Sequence, residues 1–447
     1  MIYCINYKRS NQTFSVETSL STLFFREETM KKLLIAVLCL MLTGCAAPAP
    51  SDGSGPDRSV SPDIPAPSPV ASSAPNGESG TPQASPETDP ETAENPSASQ
   101  EPSESSLGPQ NQEQIIQELL SAMTLEEKVG QMFFVRCPET GGAELAAQYK
   151  VGGYLLFGRD FKDKTAQQVR DDIQSYQDAS GIPLLIGTDE EGGTVVRASS
   201  NPDLFPQREP APQTLFAQGG MDLILQDARQ KSMTLLDLGV NVNFAPVADV
   251  STDPADFIYA RSFGQDAQAT ANYVAQVVGV MGEEQIGSVL KHFPGYGNNV
   301  DTHTGIALDQ RPYETFQTSD FLPFQAGIQA GADAVLVSHN IAASMDESLP
   351  ASLSPTIHKV LREELGFDGV VLTDDLAMDA VMEYAQNGSA AVLAIQAGND
   401  MVVTTDFQTQ IPQVIHAVQS GVIAESQIDQ AVTRVLNWKY ELGLLGN

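Results

Sequence analysis

Short apolar-rich runs recur along the chain, each closed off by glycine, proline or a polar cluster. They cover 132–136, 153–157, 183–187, 240–246, 286–290, 334–338, 369–373 and 400–403. Runs of this length, rich in Val, Ile, Leu and Phe, predict strands covered on both faces. Between most of them the apolar spacing changes to the helical period, as over 165–179, 213–238, 267–284, 321–330 and 354–365. Strands separated by helices demand parallel pairing with right-handed crossovers. Eight such units, closed by a helical pattern over 426–442, predict an α/β fold of the TIM-like (β/α)8 barrel type. An open doubly wound sheet is the alternative architecture, but no Gly-x-Gly-x-x-Gly follows the first run to support a dinucleotide-binding form of it. The globular part begins near Gln110 with a helical stripe of Ile115, Ile116, Leu119, Leu120 and Met123, and Thr124 predicts a cap for a segment over 125–130.

A barrel gathers its chemistry at the C-terminal ends of its strands, and the polar side chains fall there. Asp189, Glu190 and Glu191 follow the third run, Lys291 and His292 the fifth, His339 and Asn340 the sixth, Asp374 and Asp375 the seventh. Arg261 lies in the long segment after the fourth. The stretch 291–303, Lys-His-Phe-Pro-Gly-Tyr-Gly-Asn-Asn-Val-Asp-Thr-His, holds two of only five histidines. Its Pro294, Gly295 and Gly297 forbid helix, so its polar residues are expected where a strand gives way to a loop. Asp301 and His303 lie two apart and project to the same side of an extended backbone. A carboxylate accepting the Nδ1 hydrogen of an imidazole favours its protonated form, which suits the ring to giving and retrieving a proton. The alternative is a turn in which Asp301 bonds local backbone and His303 is solvated.

Adjacent residues at a strand end face different ways, so one of Asp374 and Asp375 faces the mouth. That one reads as a nucleophile or as a partner for a developing cation, and the other as a helix cap ahead of 376–384; periodicity does not say which is which. The acids before Gly192 and Gly193 suit the paired hydroxyls of a sugar, with the glycines admitting a ligand close to the backbone, or else they face water in an ordinary loop. Lys291 and His292 read as ligand contacts by position, or as a salt-bridged base and a satisfied histidine. His292, His303 and His339 lack the close spacing of a metal ligand set, and no Gly-x-Ser-x-Gly elbow marks a serine hydrolase. No metal and no organic cofactor is expected.

Composition changes the picture at the N-terminal end. Residues 46–108 are Pro, Ser, Ala, Gly and acid with hardly a large apolar side chain, so they predict a disordered linker. About 60 residues of flexible coil span roughly 45 Å r.m.s., enough to hold the globular domain over 109–447 well away from a surface. Ahead of it, 30–45 has a basic start, an apolar stretch too short for a comfortable membrane span, and Leu-Thr-Gly-Cys. This resembles a bacterial lipoprotein signal peptide. The resemblance implies cleavage before Cys45, a lipid on its thiol, an extracytoplasmic location anchored to the cell membrane, and residues 1–29 as a mis-assigned start. With Cys4 and Cys39 removed and Cys45 lipidated, Cys137 has no intramolecular partner. The formal charge of −33, from 57 acids against 24 Lys and Arg, excludes the basic footprint that nucleic acid requires.

Taken in order, Asp189-x-Glu191-Gly192-Gly193, Arg261-Ser262-Phe263-Gly264, Lys291-His292-Phe293-Pro294-Gly295, Asp301-Thr302-His303 and Thr373-Asp374-Asp375-Leu376-x-Met378 resemble family 3 glycoside hydrolases, in their β-N-acetylglucosaminidase branch. The resemblance covers about residues 112 to 445. It implies Asp374 as nucleophile, His303 oriented by Asp301 as acid/base, and Asp189, Arg261, Lys291 and His292 as contacts of the terminal sugar. A GlcNAc-terminated glycan such as a peptidoglycan fragment is the implied substrate, and double displacement with retention the implied mechanism. The chain departs from the branch at Tyr296, commonly His, and at Asn298-Asn299, commonly Asp-Thr. Two rivals follow: a β-glucosidase or GlcNAc phosphorylase on the same scaffold, and a non-catalytic wall-binding lipoprotein. The second, C-terminal domain of some relatives is not expected.

Overall fold

All eight apolar runs form strands in the computed structural model, which describes residues 109–299, 307–378, 381, 384 and 389–446. They are β1 (Phe133–Arg136), β2 (Gly153–Leu156), β3 (Leu185–Thr188), β4 (Val242–Asn243), β5 (Gly287–Phe293), β6 (Ala334–Val337), β7 (Val370–Thr373) and β8 (Val402–Thr404). The expected linker, signal peptide and Cys45 lie outside the described residues.

The strands pair in the order β8-β1-β2-β3-β4-β5-β6-β7, and every pairing is parallel. A parallel bridge from Leu372 to Met401 brings β7 back to the start of β8. The Leu376 amide extends that seam by donating to Val403 O at 2.9 Å. The sheet is therefore a (β/α)8 barrel and not an open doubly wound sheet. Gly142–Tyr149, Ala166–Ala179, Pro212–Asp237, Ala267–Glu283, Phe321–Gln329, Pro355–Lys359, Ala390–Ala397 and Phe407–Gln419 follow the strands one by one. Thr124 makes the expected capping box with Glu127 at the start of Leu125–Gln131.

Three features differ from the sequence expectation. The helical run over 213–238 is broken at Gly219 and Gly220, whose dihedrals are non-helical. The regular part of the fourth strand shrinks to Val242–Asn243, ahead of Ala245 and Pro246. The fifth strand extends instead, through Lys291 and His292 to Phe293, with a register irregularity between Lys291 and Phe293. Phe293 is fully buried against Phe321 and Phe324, and that packing keeps the strand going to the residue before Pro294.

Side-chain alternation divides the apolar residues into two layers. Phe133, Val135, Ile186, Leu290, Val335 and Val371 point outward against the helices. Phe134, Leu155, Leu185, Val242, Val289, Leu336 and Leu372 fill the barrel interior. Each such burial is worth about 1.5–3 kcal/mol, so both faces of every strand contribute. The closing helix Glu425–Glu441 plugs the N-terminal end with Val435 and Trp438. Gly287 leaves room for that indole, since a Cβ there would lie 3.0 Å from it.

Beside the plug, Lys439 is fully buried and its Nζ donates to Gln131 Oε1 at 2.6 Å. Burial pushes its ammonium down to about 7. Between that value and the ordinary lysine value near 10.4 the unfolded chain binds more protons than the native one, so stability rises with pH across this window. Lys439→Met is therefore expected to gain stability over the parent at pH 6, with the gain shrinking towards pH 10. Denaturant midpoints across that range measure it, and a pH-independent difference would contradict the assignment.

Candidate active site

The inward face of the strands is carried beyond the apolar layer by the residues at the C-terminal ends. Arg136 follows Phe134, Phe157 follows Leu155, Asp189 follows Leu185 and Gly187, Lys291 follows Val289, and Asp374 follows Val370 and Leu372, all by the same alternation. They meet in a pocket of about 300 Å³ that Arg197, Arg261 and His292 also line, over a floor of Leu155, Phe244, Leu336 and Val403. That volume lies at the small end of ligand sites and suits a single sugar ring.

Alternation separates the two aspartates. Asp374 continues the inward face of β7, its amide donating to Val337 O at 2.9 Å and its Oδ1 accepting the Asp375 N–H at 2.8 Å. Asp375 reaches the pocket edge, but its Oδ1 accepts the Ala377 N–H at 3.0 Å in a local turn. The second aspartate closes this turn, and the helix expected over 376–384 lies partly outside the described residues.

One wall is a lattice of charge. Lys291 Nζ sits between Asp189 Oδ1 at 2.8 Å and Glu191 Oε1 at 2.6 Å. Arg261 grips Glu191 with two parallel bonds of 2.9 and 2.7 Å. Burial alone would raise the Glu191 carboxyl, but Arg261 and Lys291 outweigh it and hold the group well below the usual carboxylate range. Arg261 Nη2 also donates to His292 Nε2 at 3.0 Å, while His292 Nδ1 lies 2.7 Å from Asp249 Oδ2. An arginine only donates, so Nε2 is the acceptor nitrogen and the neutral ring carries its proton on Nδ1. His292 thus orients Arg261 and holds no proton at Nε2 to give.

The local backbone explains why these groups stay in place. Glu190, fully buried, accepts the amides of Arg197, Ala198 and Ser199 at 2.9, 2.7 and 3.3 Å and so folds the loop that returns Arg197 to Asp189. Gly192 and Gly193 have φ of +95° and +64°, and a Cβ on Gly192 would lie 2.2 Å from Pro210 O. The close approach they permit is by the chain's own backbone, not by a ligand as the sequence suggests. Lys291 and His292 belong to β5 itself and not to the loop after it. Asp249 ties this strand to its loop, accepting the amides of His292 and Tyr296 at 3.1 and 2.7 Å. Tyr296 is buried, edge-on to the His292 ring at 5.2 Å. His339 is a core histidine, with Nδ1 2.7 Å from Ser352 Oγ and Nε2 3.1 Å from Asp375 O. Asp301 and His303 lie outside the described residues.

Comparison with known proteins bears on this constellation. Residues 124–438 match the profile of the glycosyl hydrolase family 3 N terminal domain. The chain belongs to glycoside hydrolase family 3. A β-hexosaminidase of Stenotrophomonas maltophilia is 35% identical over 318 residues, which are 68% of this chain and 89% of that one. Among solved structures, a family 3 β-N-acetylglucosaminidase from Paenibacillus sp. is 30% identical with a TM-score of 0.66, over 73% of this chain and 64% of that one. A family 3 glycosyl hydrolase from Mycobacterium smegmatis is 28% identical with a TM-score of 0.65, over 73% of this chain and 99% of that one.

As a family 3 member the protein is a glycoside hydrolase, and the mouth of its barrel is the candidate place for that chemistry. Five residues that the motifs single out, Asp189, Arg261, Lys291, His292 and Asp374, line the one pocket. Glu191, read as one of three similar acids, is the buried counter-charge of two cations. Asp249, Arg197 and Arg136 carry no motif role in the sequence reading. Asp249 follows the fourth run and Arg136 ends the first, so the strand-end rule applied to every strand would have found both.

Proposed function

We propose that this family 3 enzyme is a retaining exo-β-N-acetylglucosaminidase that removes terminal GlcNAc from peptidoglycan fragments or related glycans. The carrying observation is the placement of Asp374 on the inward face of β7, in the same one-ring pocket as Asp189, Arg261, Lys291 and His292. Cations fixed by buried carboxylates, with Asp189 as acceptor, suit the hydroxyls of a terminal sugar, and an apolar floor beneath one ring favours exo action. The similarity to a β-hexosaminidase and to a β-N-acetylglucosaminidase supports the choice of sugar.

In this reading the Asp374 carboxylate attacks the anomeric carbon while His303, oriented by Asp301, protonates the departing oxygen. A glycosyl ester on Asp374 results. The now neutral imidazole takes a proton from water, which displaces the carboxylate and releases GlcNAc with retained configuration. Residues 30–45 serve as the signal peptide, a lipid on Cys45 anchors the protein outside the cell membrane, and 46–108 is the tether.

The full chain in detergent, assayed on 4-nitrophenyl β-GlcNAc, is expected to favour it over the β-glucoside by roughly a hundredfold, the discrimination that bonding of the acetamido group would supply. Phosphate should not change the product. His303→Ala should impair substrates with poor leaving groups far more than the nitrophenyl glycoside, because only the former need the proton. GlcNAc 1-phosphate as product would reassign the enzyme as a phosphorylase. Inertness towards both glycosides, with glycan binding intact, would favour the wall-binding lipoprotein.

A further inference from the structure

Arg136 is unlike every other arginine among the described residues. Arg159, Arg170, Arg197, Arg208, Arg229, Arg261, Arg311, Arg362 and Arg434 each donate to a carboxylate or a carbonyl. The Arg136 side chain makes no hydrogen bond or ion pair; its Nε is buried without a partner, as are those of Arg159 and Arg197, but those two side chains bond through their terminal nitrogens. Its contact is the Phe157 ring, 4.3 Å from the guanidinium carbon. Arg197 lies over the same ring at 5.3 Å, but Asp189 neutralises that second cation.

Position gives the unpaired charge its meaning. Arg136 lines the sugar pocket and also a second cavity of about 480 Å³ at the ends of β1 and β8. Pro138, Leu145 and Phe407 give that cavity an apolar side. Its other cation, Arg159, is paired with Glu139 at 3.2 Å, and Asp406 lies at the exposed edge. A guanidinium held against a ring, with its Nε–H buried and no ion-pair partner, is ready for bidentate capture of a planar anion. A neutral occupant can accept from those donors but supplies no counter-charge, whereas a carboxylate does both, which counts for most in a partly desolvated site.

We propose that Arg136 determines leaving-group specificity: it binds a carboxylate carried by the sugar in the second cavity, so that GlcNAc is released preferentially from acidic aglycones. The inference rests on the exo-glycosidase reading of the first pocket. Because Arg136 lies between the two spaces, its carboxylate partner belongs to the residue being released and not to the ring over Asp374.

The test compares GlcNAc joined to a lactyl-bearing N-acetyl sugar with the methyl ester of the same compound, which keeps the shape and removes the charge. The parent is expected to show an acid-to-ester ratio of kcat/KM of roughly tenfold or more, the size of a charge-assisted bidentate contact. Arg136→Met should bring the ratio to about one, and Arg136→Lys should restore part of it. A ratio near one in the parent, or a preference that survives in Arg136→Met, overturns the proposal. So does phosphate acceleration of the parent that Arg136→Met abolishes, which would make phosphate the anion bound. Equilibrium binding of acid and ester to Asp374→Asn reads the same preference without turnover. A parent inert towards every β-GlcNAc compound, whose Asp374→Asn variant still prefers the acid in an Arg136-dependent way, would defeat the glycosidase reading and leave the anion site standing.

Discussion

Replacing Asp374 by Asn is expected to lower kcat by on the order of 10⁴-fold or more, because the amide keeps the shape and hydrogen bonds of the carboxylate but cannot attack an anomeric carbon. The loss should fall on turnover and not on stability. Asp374 is half-buried, and the bond its Oδ1 accepts from the Asp375 amide survives the change. Thermal unfolding should stay within about 1 kcal/mol of the parent. Azide supplies the missing nucleophile from solution and should restore turnover with a glycosyl azide as product. Asp375→Asn is the paired control. Its side chain closes a turn onto Ala377, so a modest fall in kcat is expected. A collapse in Asp375→Asn with near-normal turnover in Asp374→Asn would exchange the roles of the two residues and refute the register argument.

The second large effect is expected at Glu191. Its side chain is almost wholly buried and neutralises two cations, Arg261 by a bidentate pair and Lys291 by a 2.6 Å contact. Glu191→Gln leaves both positive groups in the barrel mouth with Asp189 as the remaining nearby carboxylate partner. Breaking a buried pair from one side typically costs about 3–5 kcal/mol, because the unpaired charge stays behind. For a domain of this size that lowers the unfolding midpoint by roughly 5 °C or more. Activity should fall with it, since Arg261 loses the fork that aims it and His292 then holds it by a single bond.

A pH profile separates this electrostatic role from mere packing. The Glu191 carboxyl is held below its unfolded value, so its contribution is fully present above about pH 4.3 and is lost as pH falls towards the native value. The stability gap between parent and Glu191→Gln should therefore narrow in acid. A gap that is constant from pH 7 to pH 3 would show that shape and not charge was lost.

The eight strands were legible because a strand covered on both faces writes a local, continuous apolar run, and the helices between them write a different local period. Parallel pairing then followed from connection geometry, and closure from the count of units. The strand-end location of Asp189, His339 and Asp374 was legible for the same reason. Lys291 and His292 were legible as the end of the fifth strand, but the strand's extension through them was not, because Pro294 and two glycines signal a loop while the burial of Phe293 among Phe321 and Phe324, which prolongs β5, is a contact made some thirty residues away.

By itself the sequence determined the barrel, the identity of the polar groups at its mouth and, through the order of its motifs, the family. The tertiary structure alone decided which way each group faces and what it is paired with. Alternation along β7 chose Asp374 over Asp375 only once Val370 and Leu372 were known to point inward. Glu191 became the counter-ion of Arg261 and Lys291, and Gly192 a contact for Pro210, through pairings between segments distant in the chain. Arg136 gained its meaning from the partners it lacks. Local periodicity records whether a residue is covered, whereas charge pairing and pocket geometry depend on segments that meet only when the barrel closes.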